Sequence, residues 1–187
     1  GGGGGDDGQK SSGLWATYLK ALETNPMFVK CLTSGILNVA GDALSQLVFE
    51  QHDYDFKRAL IFFVIGVSLV GPALSMWYST LGKLVSATGT LGAAQRLILD
   101  QALFAPAFVA LFFGSLLTLE GRPEDLNAKL KQDWWPAVQT NWKIWIPFQF
   151  LNFRFVPPPL QVAAANVIAL GWNTYLSYTG TRAVVKN

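Results

Sequence analysis

Charge is scarce in this chain, and histidine and cysteine are nearly missing. Its 187 residues carry 12 Asp and Glu and 14 Lys and Arg, a charged share of 14%, where soluble domains hold about a quarter. The one histidine, His52, stands beside Asp53 in a polar connection. Without a nucleophile or metal-ligand constellation around it, it reads as a solvated loop residue, so no catalytic residue is expected. Clustered His, Cys or carboxylate at ligand spacing is absent, which argues against a bound metal. The single cysteine, Cys31, excludes an internal disulfide and fits a reducing compartment, where it acts as a small buried apolar residue. A net charge of +2 without a basic run leaves no case for nucleic acid. The amino-terminal glycines have no Lys-Ser or Lys-Thr after them and no strand before them, so they are not a phosphate loop. An enzyme is not expected, and neither is a cofactor.

What the chain has instead is apolar length. Hydrophobic residues make up 51% of it. Residues 1–13, GGGGGDDGQKSSG, cannot bury anything and read as a disordered tail. With no initiating Met and no apolar signal core, this end suits a processed import peptide, which favours a plastid inner envelope slightly over a mitochondrial inner membrane, with a peroxisomal membrane third. Leu14, Trp15, Tyr18, Leu19 and Leu22 share a helical face opposite Lys20 and Glu23, a short amphipathic helix for a membrane surface. Four spans follow, at about 27–49, 59–78, 96–119 and 160–178, inside one helical membrane domain covering 14–180, with 181–187 as a tail. The second span, Ala59–Tyr78, has no charge in 20 residues, or roughly 30 Å of helix, enough for the hydrocarbon core. Gly71-Pro72 should kink it, and Trp77 and Tyr78 anchor its end.

Between the third and fourth spans, Leu126, Leu130, Trp134 and Val138 repeat every four residues against Lys129, Lys131, Gln132 and Asp133. This pattern predicts an amphipathic surface helix, bent or broken at Pro136 and Pro147. From Asp133 to Pro159 the chain concentrates four of its seven Trp and five of its nine Pro, the composition of a membrane–water interface. An even number of spans places both termini on one side, and the basic residues divide evenly across it, so charge does not orient the protein.

The polar residues inside the spans are the candidates for function. Ser34, Asn38, Asp42 and Gln46 form one stripe along the first span, against Leu32, Ile36, Val39, Ala43 and Leu47. Arg96, Asp100 and Gln101 open the third span, with Arg96 and Asp100 one turn apart and able to neutralise each other. Asn166 and Asn173 lie on one face of the fourth. Such residues either bond helices together or line an aqueous path for a solute. Arg154, between Phe153 and Phe155, is either an interfacial anchor or the mouth of an anion path.

Six motifs in order then carry a resemblance: Tyr18-x-x-x-Leu22 with Pro26; Gly41-Asp42 with Gln46; Gly71-Pro72 with Trp77-Tyr78; Asp100-Gln101 with Pro106; Trp145-x-Pro147-x-Gln149-x-x-Asn152-Phe153-x-x-Val156-Pro157; and Trp172-Asn173-x-Tyr175-Leu176-Ser177. The chain resembles the Mpv-seventeen and 22-kDa peroxisomal membrane protein family from Tyr18 to Ser177. The resemblance implies an all-α integral membrane protein with four transmembrane helices. It also implies an organelle membrane, passage of small solutes, and a part in metabolite or redox homeostasis. It adds Gln149 and Asn152 to Asp42, Gln46, Asp100 and Gln101 as a shared polar core. Two positions depart from the family pattern. Ser75 stands where a His often precedes the Trp-Tyr pair, and Gln161 stands where a basic residue usually follows Val-Pro, which puts a basic ring or pH-sensitive gate in doubt. The expected function is a small-solute channel, with Asp42 and Asp100 setting charge selectivity. The alternative is a structural or assembly subunit without transport. Expected partners are membrane lipids and a homo-oligomer or larger membrane complex.

Overall fold

The computed structural model describes residues 7–51, 53–157 and 160–185, and every regular element in them is helical. His52 lies outside the described residues. Helix α1, Asp7–Thr24, begins earlier than the amphipathic pattern alone requires, so residues 7–13, expected to be an unstructured tail, are helical. Once a helix has nucleated, each added residue costs little, and it extends backwards over Gln9 and Lys10. Tyr18, Leu19 and Leu22 are half-buried while Lys20 and Glu23 are exposed. The side chains of Leu14 and Trp15 lie outside the described residues. Pro26 opens the next helix, where its missing N–H is not needed.

Among the described residues three helices are long and apolar enough to cross a membrane: α2 over Pro26–Glu50, α3 over Phe56–Leu84 and α4 over Gly89–Leu119. α4 starts at Gly89 rather than at about residue 96, so the connection before it is only four residues, 85–88. Burial in α2 is inverted relative to a soluble helix. Its polar stripe is inside, with Ser34 5%, Asn38 1%, Asp42 0% and Gln46 0% exposed, while Phe28 at 68%, Ile36 at 56% and Leu47 at 57% face outwards. A water-facing helix reverses that order, whereas a lipid-facing one requires it. Cys31 is half-buried, its backbone against Gly71 of α3.

The remaining chain differs most from expectation. A short turn at Pro123–Asp125 leads into α5, residues 126–155, which is built from Leu126–Lys129, a wide turn at Leu130–Trp134, and Trp135–Phe155. It is neither broken at Pro136 nor at Pro147, and it does not lie across the bundle end. Its Trp134 bonds Pro106, its Asn141 bonds Gln101, and its Arg154 reaches Thr90. α5 therefore runs antiparallel to α4 along the whole of α4. Helix α6, Gln161–Thr181, returns in the opposite direction, packed mainly on α2.

The prolines explain why these helices stay continuous. π-helical turns at Gly66–Val70, Asp100–Phe104 and Leu130–Trp134 each end just before a Gly-Pro, Ala-Pro or Trp-Pro pair. A proline ring clashes with the carbonyl four residues back and leaves it without a donor. One wider turn relieves the clash without ending the helix. In that register the Gln101 carbonyl would accept from residue 106, a proline, and Trp142 Nε1 donates to it instead at 2.8 Å. Trp134 Nε1 likewise donates to the Pro106 carbonyl at 2.9 Å. These tryptophans, expected as an interfacial belt, clasp α4 through its backbone carbonyls, one of them where Pro106 withholds a donor. Trp135, 49% exposed, is the one that points away.

Candidate functional site

The buried polar groups separate into three clusters, two of which hold the expected polar-core residues. The first lies where α2 ends, α3 begins and α6 ends. Arg58, only 9% exposed, extends its guanidinium into the bundle there. Its Nε donates to Asp42 Oδ1 at 2.7 Å, and its two terminal nitrogens donate to the Glu50 carboxylate at 2.9 and 2.7 Å. One of them also donates to Ser177 Oγ at 2.6 Å, and that hydroxyl donates to Asp42 Oδ1 at 2.6 Å. Gln46 completes the site, donating to Asp42 Oδ2 at 2.8 Å and accepting from the Asp55 backbone N–H at 2.6 Å. A planar fork of five donors meets two carboxylates, which is the geometry arginine serves and lysine does not. Asp42 is thus neutralised within the protein. The sequence treats it as a selectivity-setting charge, but Arg58 occupies its charge.

The second site is a cavity of about 70 Å³ enclosed by α2, α3, α4, α5 and α6, room for roughly five waters at 10–15 Å³ each. Asn38, Asp100, Gln101, Gln149, Asn166 and Asn173 line it together with aromatic rings from Tyr78, Phe104, Phe108, Trp145 and Trp172. The π-helical turn Asp100–Phe104 turns two consecutive polar residues inwards, leaving Asp100 4% and Gln101 6% exposed. Asp100 accepts from Trp77 Nε1 at 2.7 Å, Gln101 Nε2 at 2.7 Å and Gln149 Nε2 at 3.2 Å. Gln149 also donates to Tyr78 Oη at 2.6 Å, and its own oxygen accepts from Asn152 Nδ2 at 2.9 Å. Among the described residues no ion pair includes Asp100.

Two expected site residues lie elsewhere. Arg96 does not neutralise Asp100; its guanidinium bonds the carbonyls of Val85 and Ala87 at 2.9 and 3.5 Å and closes the connection before α4. Arg154 is exposed, bonded to Thr90 Oγ1 at 3.3 Å and stacked over Phe155, outside the cavity. Sequence reasoning overlooked Arg58, Asn141, Tyr78 and a third buried group around Lys129. Lys129, 0% exposed, pairs with Asp133 at 2.9 Å and donates to the carbonyls of Thr179 and Arg182 at 2.6 and 2.8 Å, capping the end of α6. Arg182 pairs with Asp133 as well. The i, i+4 spacing of Lys129 and Asp133 is the signal available in the sequence, and it fits a solvated face as well as a buried pair. Among the described residues no group of three His, Cys, Asp or Glu side chains is placed to hold a metal.

The Mpv17 / PMP22 family profile matches residues 117–177, which hold most of α5 and α6. Similarity to individual proteins extends much further. The chain is 35% identical over 171 residues to peroxisomal membrane protein 2 of Bos taurus, covering 87% of each. It is 34% identical over 175 residues to the mitochondrial inner membrane protein Mpv17 of Danio rerio, covering 91% of this chain and 99% of the relative. With protein SYM1 of Mycosarcoma maydis the identity is 35% over 171 residues, covering 89% and 86%. No solved structure matches. Two of these relatives are named for the peroxisomal and the mitochondrial inner membrane, which gives no support to a plastid location. With identity at this level along nearly its full length, the chain belongs to the Mpv17 / PMP22 family of organelle membrane proteins.

Proposed function

We propose that the protein is a permeation pathway for small solutes across an organelle membrane, and that the cavity between α2 and α6 is part of the path. The observation that carries this reading is a space of about 70 Å³, walled by apolar and aromatic side chains with Asp100 and several amides among them, between helices whose outer faces are apolar. Ionisable and amide groups at such depth are costly and are kept where they face a cavity or one another. The test is flux. Vesicles holding the purified protein are expected to leak small labelled solutes, and Ala169→Phe, which pushes a ring into the cavity from α6, is expected to slow the leak about tenfold, equivalent to a barrier of about 1.4 kcal/mol. An unchanged rate in that variant would remove the cavity from the path.

The competing role, a structural or assembly subunit, draws on the first site, where Asp42, Arg58 and Glu50 bond to one another and tie neighbouring helices together. Vesicles that stay tight with the unmodified protein, combined with purification at fixed stoichiometry in a larger complex, would favour it.

The same proposal includes the spans. α6 crosses beside α2, α3 and α4, and α5 crosses with them because its contacts follow α4 from Pro106 to Thr90. At 30 residues α5 reaches roughly 45 Å at 1.5 Å per residue. Five crossings place the two ends of α5 on opposite faces, where four crossings with a surface helix place them on one. In a Cys31→Ser background, Glu124→Cys and Arg154→Cys are expected to react with an impermeant maleimide from opposite faces of sealed vesicles. Labelling of both from one face would return α5 to the membrane surface.

A further inference from the structure

The cavity is not chemically neutral, because its wall holds a buried carboxylate, Asp100, with no cation beside it among the described residues. The amide nitrogens of Asn38, Gln101, Asn141 and Gln149 all donate within the wall, to the carbonyl of Ser34, to Asp100, to Gln101 and to Tyr78 with Asp100. Acceptors are left over. Asn38, 1% exposed, has no partner for its Oδ1, and its orientation is fixed because the Ser34 carbonyl facing its nitrogen can only accept. Asp100 receives three N–H donors, which suits an ionised carboxylate with about four lone-pair sites and leaves one free. Buried charges in proteins are normally paired, yet among the described residues no cation pairs with this one. The rest of the wall is largely aromatic, with Phe104, Phe108, Trp145 and Trp172 among its lining residues.

We propose that the cavity binds a small primary ammonium ion, whose N–H groups meet the spare acceptors of Asp100 and Asn38 while its alkyl part lies against the aromatic wall. This names the solute class for the permeation reading and rests on taking the cavity as a solute site. A neutral alcohol would supply a donor without the charge, and a quaternary ammonium would supply the charge without a donor. Each satisfies only half of what the wall presents.

The experiment compares three probes on the purified full-length protein at constant ionic strength: butylammonium, 1-butanol and tetramethylammonium. Calorimetric titration is expected to show butylammonium binding at least about tenfold tighter than the other two, the scale of one charge-assisted hydrogen bond. Asp100→Asn should abolish that preference. Because Asp100→Asn turns an amide towards three donors and could fail to fold, Asn38→Leu is the second variant. It removes only the free acceptor and one bond within α2, and it should weaken butylammonium alone. Equal binding of butylammonium and butanol, or an unchanged preference in folded Asp100→Asn or Asn38→Leu protein, overturns the proposal. Vesicle flux separates it from the reading on which it rests. Flux of small solutes without any ammonium preference removes the ammonium site and keeps the pathway. Ammonium binding by a protein that passes nothing keeps the site and removes the pathway.

Discussion

Replacing Arg58 by glutamine is expected to destabilise the protein by about 3–5 kcal/mol, the usual cost of removing one partner from a buried ion pair. The size follows from what stays behind. Asp42 is 0% exposed and loses both its counter-charge and one of its donors, and Glu50 loses two donors at once. Glutamine offers two hydrogens in place of five and no charge. Ser177 is also released, which loosens the tie between α6 and the start of α3. Arg58→Lys should recover part of the loss, since it restores the charge but not the fork that spans two carboxylates. The measurement is the thermal unfolding midpoint of detergent-purified protein followed by loss of the monodisperse chromatographic peak. Asp42→Asn combined with Arg58→Gln should cost less than the two single changes added together, because each single change strands a partner that the double variant removes. A midpoint for Arg58→Gln equal to that of the unmodified protein would show that this buried group does not hold the bundle.

Much of that site could be anticipated from sequence, though not its centre. The stripe Ser34, Asn38, Asp42, Gln46 recurs every four residues opposite an apolar face, and a pattern that regular says which side of α2 turns inwards. Nothing equally local says which cation meets it. Lys57 and Arg58 stand side by side at the start of an uncharged run. Only the rotation of α3 against α2 decides that Arg58 turns in and Lys57 stays exposed. Asp42 and Asp100 are each a single carboxylate in an apolar helix, and only Asp100 has a basic residue, Arg96, one turn away, yet Asp42 is the one that is charge-paired. That difference depends on contacts between residues 42 and 58 and between 100 and 149, which no periodicity encodes.

The helix containing Pro136 and Pro147 failed to be legible for another reason. Proline, tryptophan and charge each carry a sensible local meaning, and all three point to an interface. The structure instead fits Pro136 through a widened turn, keeps Pro147 inside the helix, and uses two indole N–H groups to bond backbone carbonyls of α4. A residue type preferred at membrane interfaces because it has one polar atom on an apolar body serves equally well inside a helix bundle that lacks donors.

Gly66→Leu is expected to be the next most damaging change, costing about 3 kcal/mol, at the upper end of ordinary overpacking. A Cβ at position 66 would lie 2.5 Å from the Cα of Gly35 and 2.7 Å from the Ser34 carbonyl oxygen. Both are backbone atoms, so no side chain can rotate out of the way, and α2 and α3 must separate. Close approach through small residues is how helices gain contact where water provides no driving force between them. Gly114 provides the contrast on α4, since a Cβ there meets nothing nearer than Leu126 Cδ2 at 3.7 Å. Gly114→Ala should therefore be neutral or stabilising by up to about 1 kcal/mol, the difference in helix propensity. Opposite signs at two buried-helix glycines, read as shifts in the same unfolding midpoint, are what the packing requires; equal shifts would mean the α2–α3 seam is looser than these distances. The seam also links the two predictions. Gly35 and Gly66 hold α2 and α3 together about two helical turns from Asp42 and Arg58. If the helices separate as rigid rods, Gly66→Leu already pulls Asp42 away from Arg58, and adding Arg58→Gln should cost much less than it does alone. If α3 bends at the π-helical turn Gly66–Val70 instead, the ion pair survives and the two costs add.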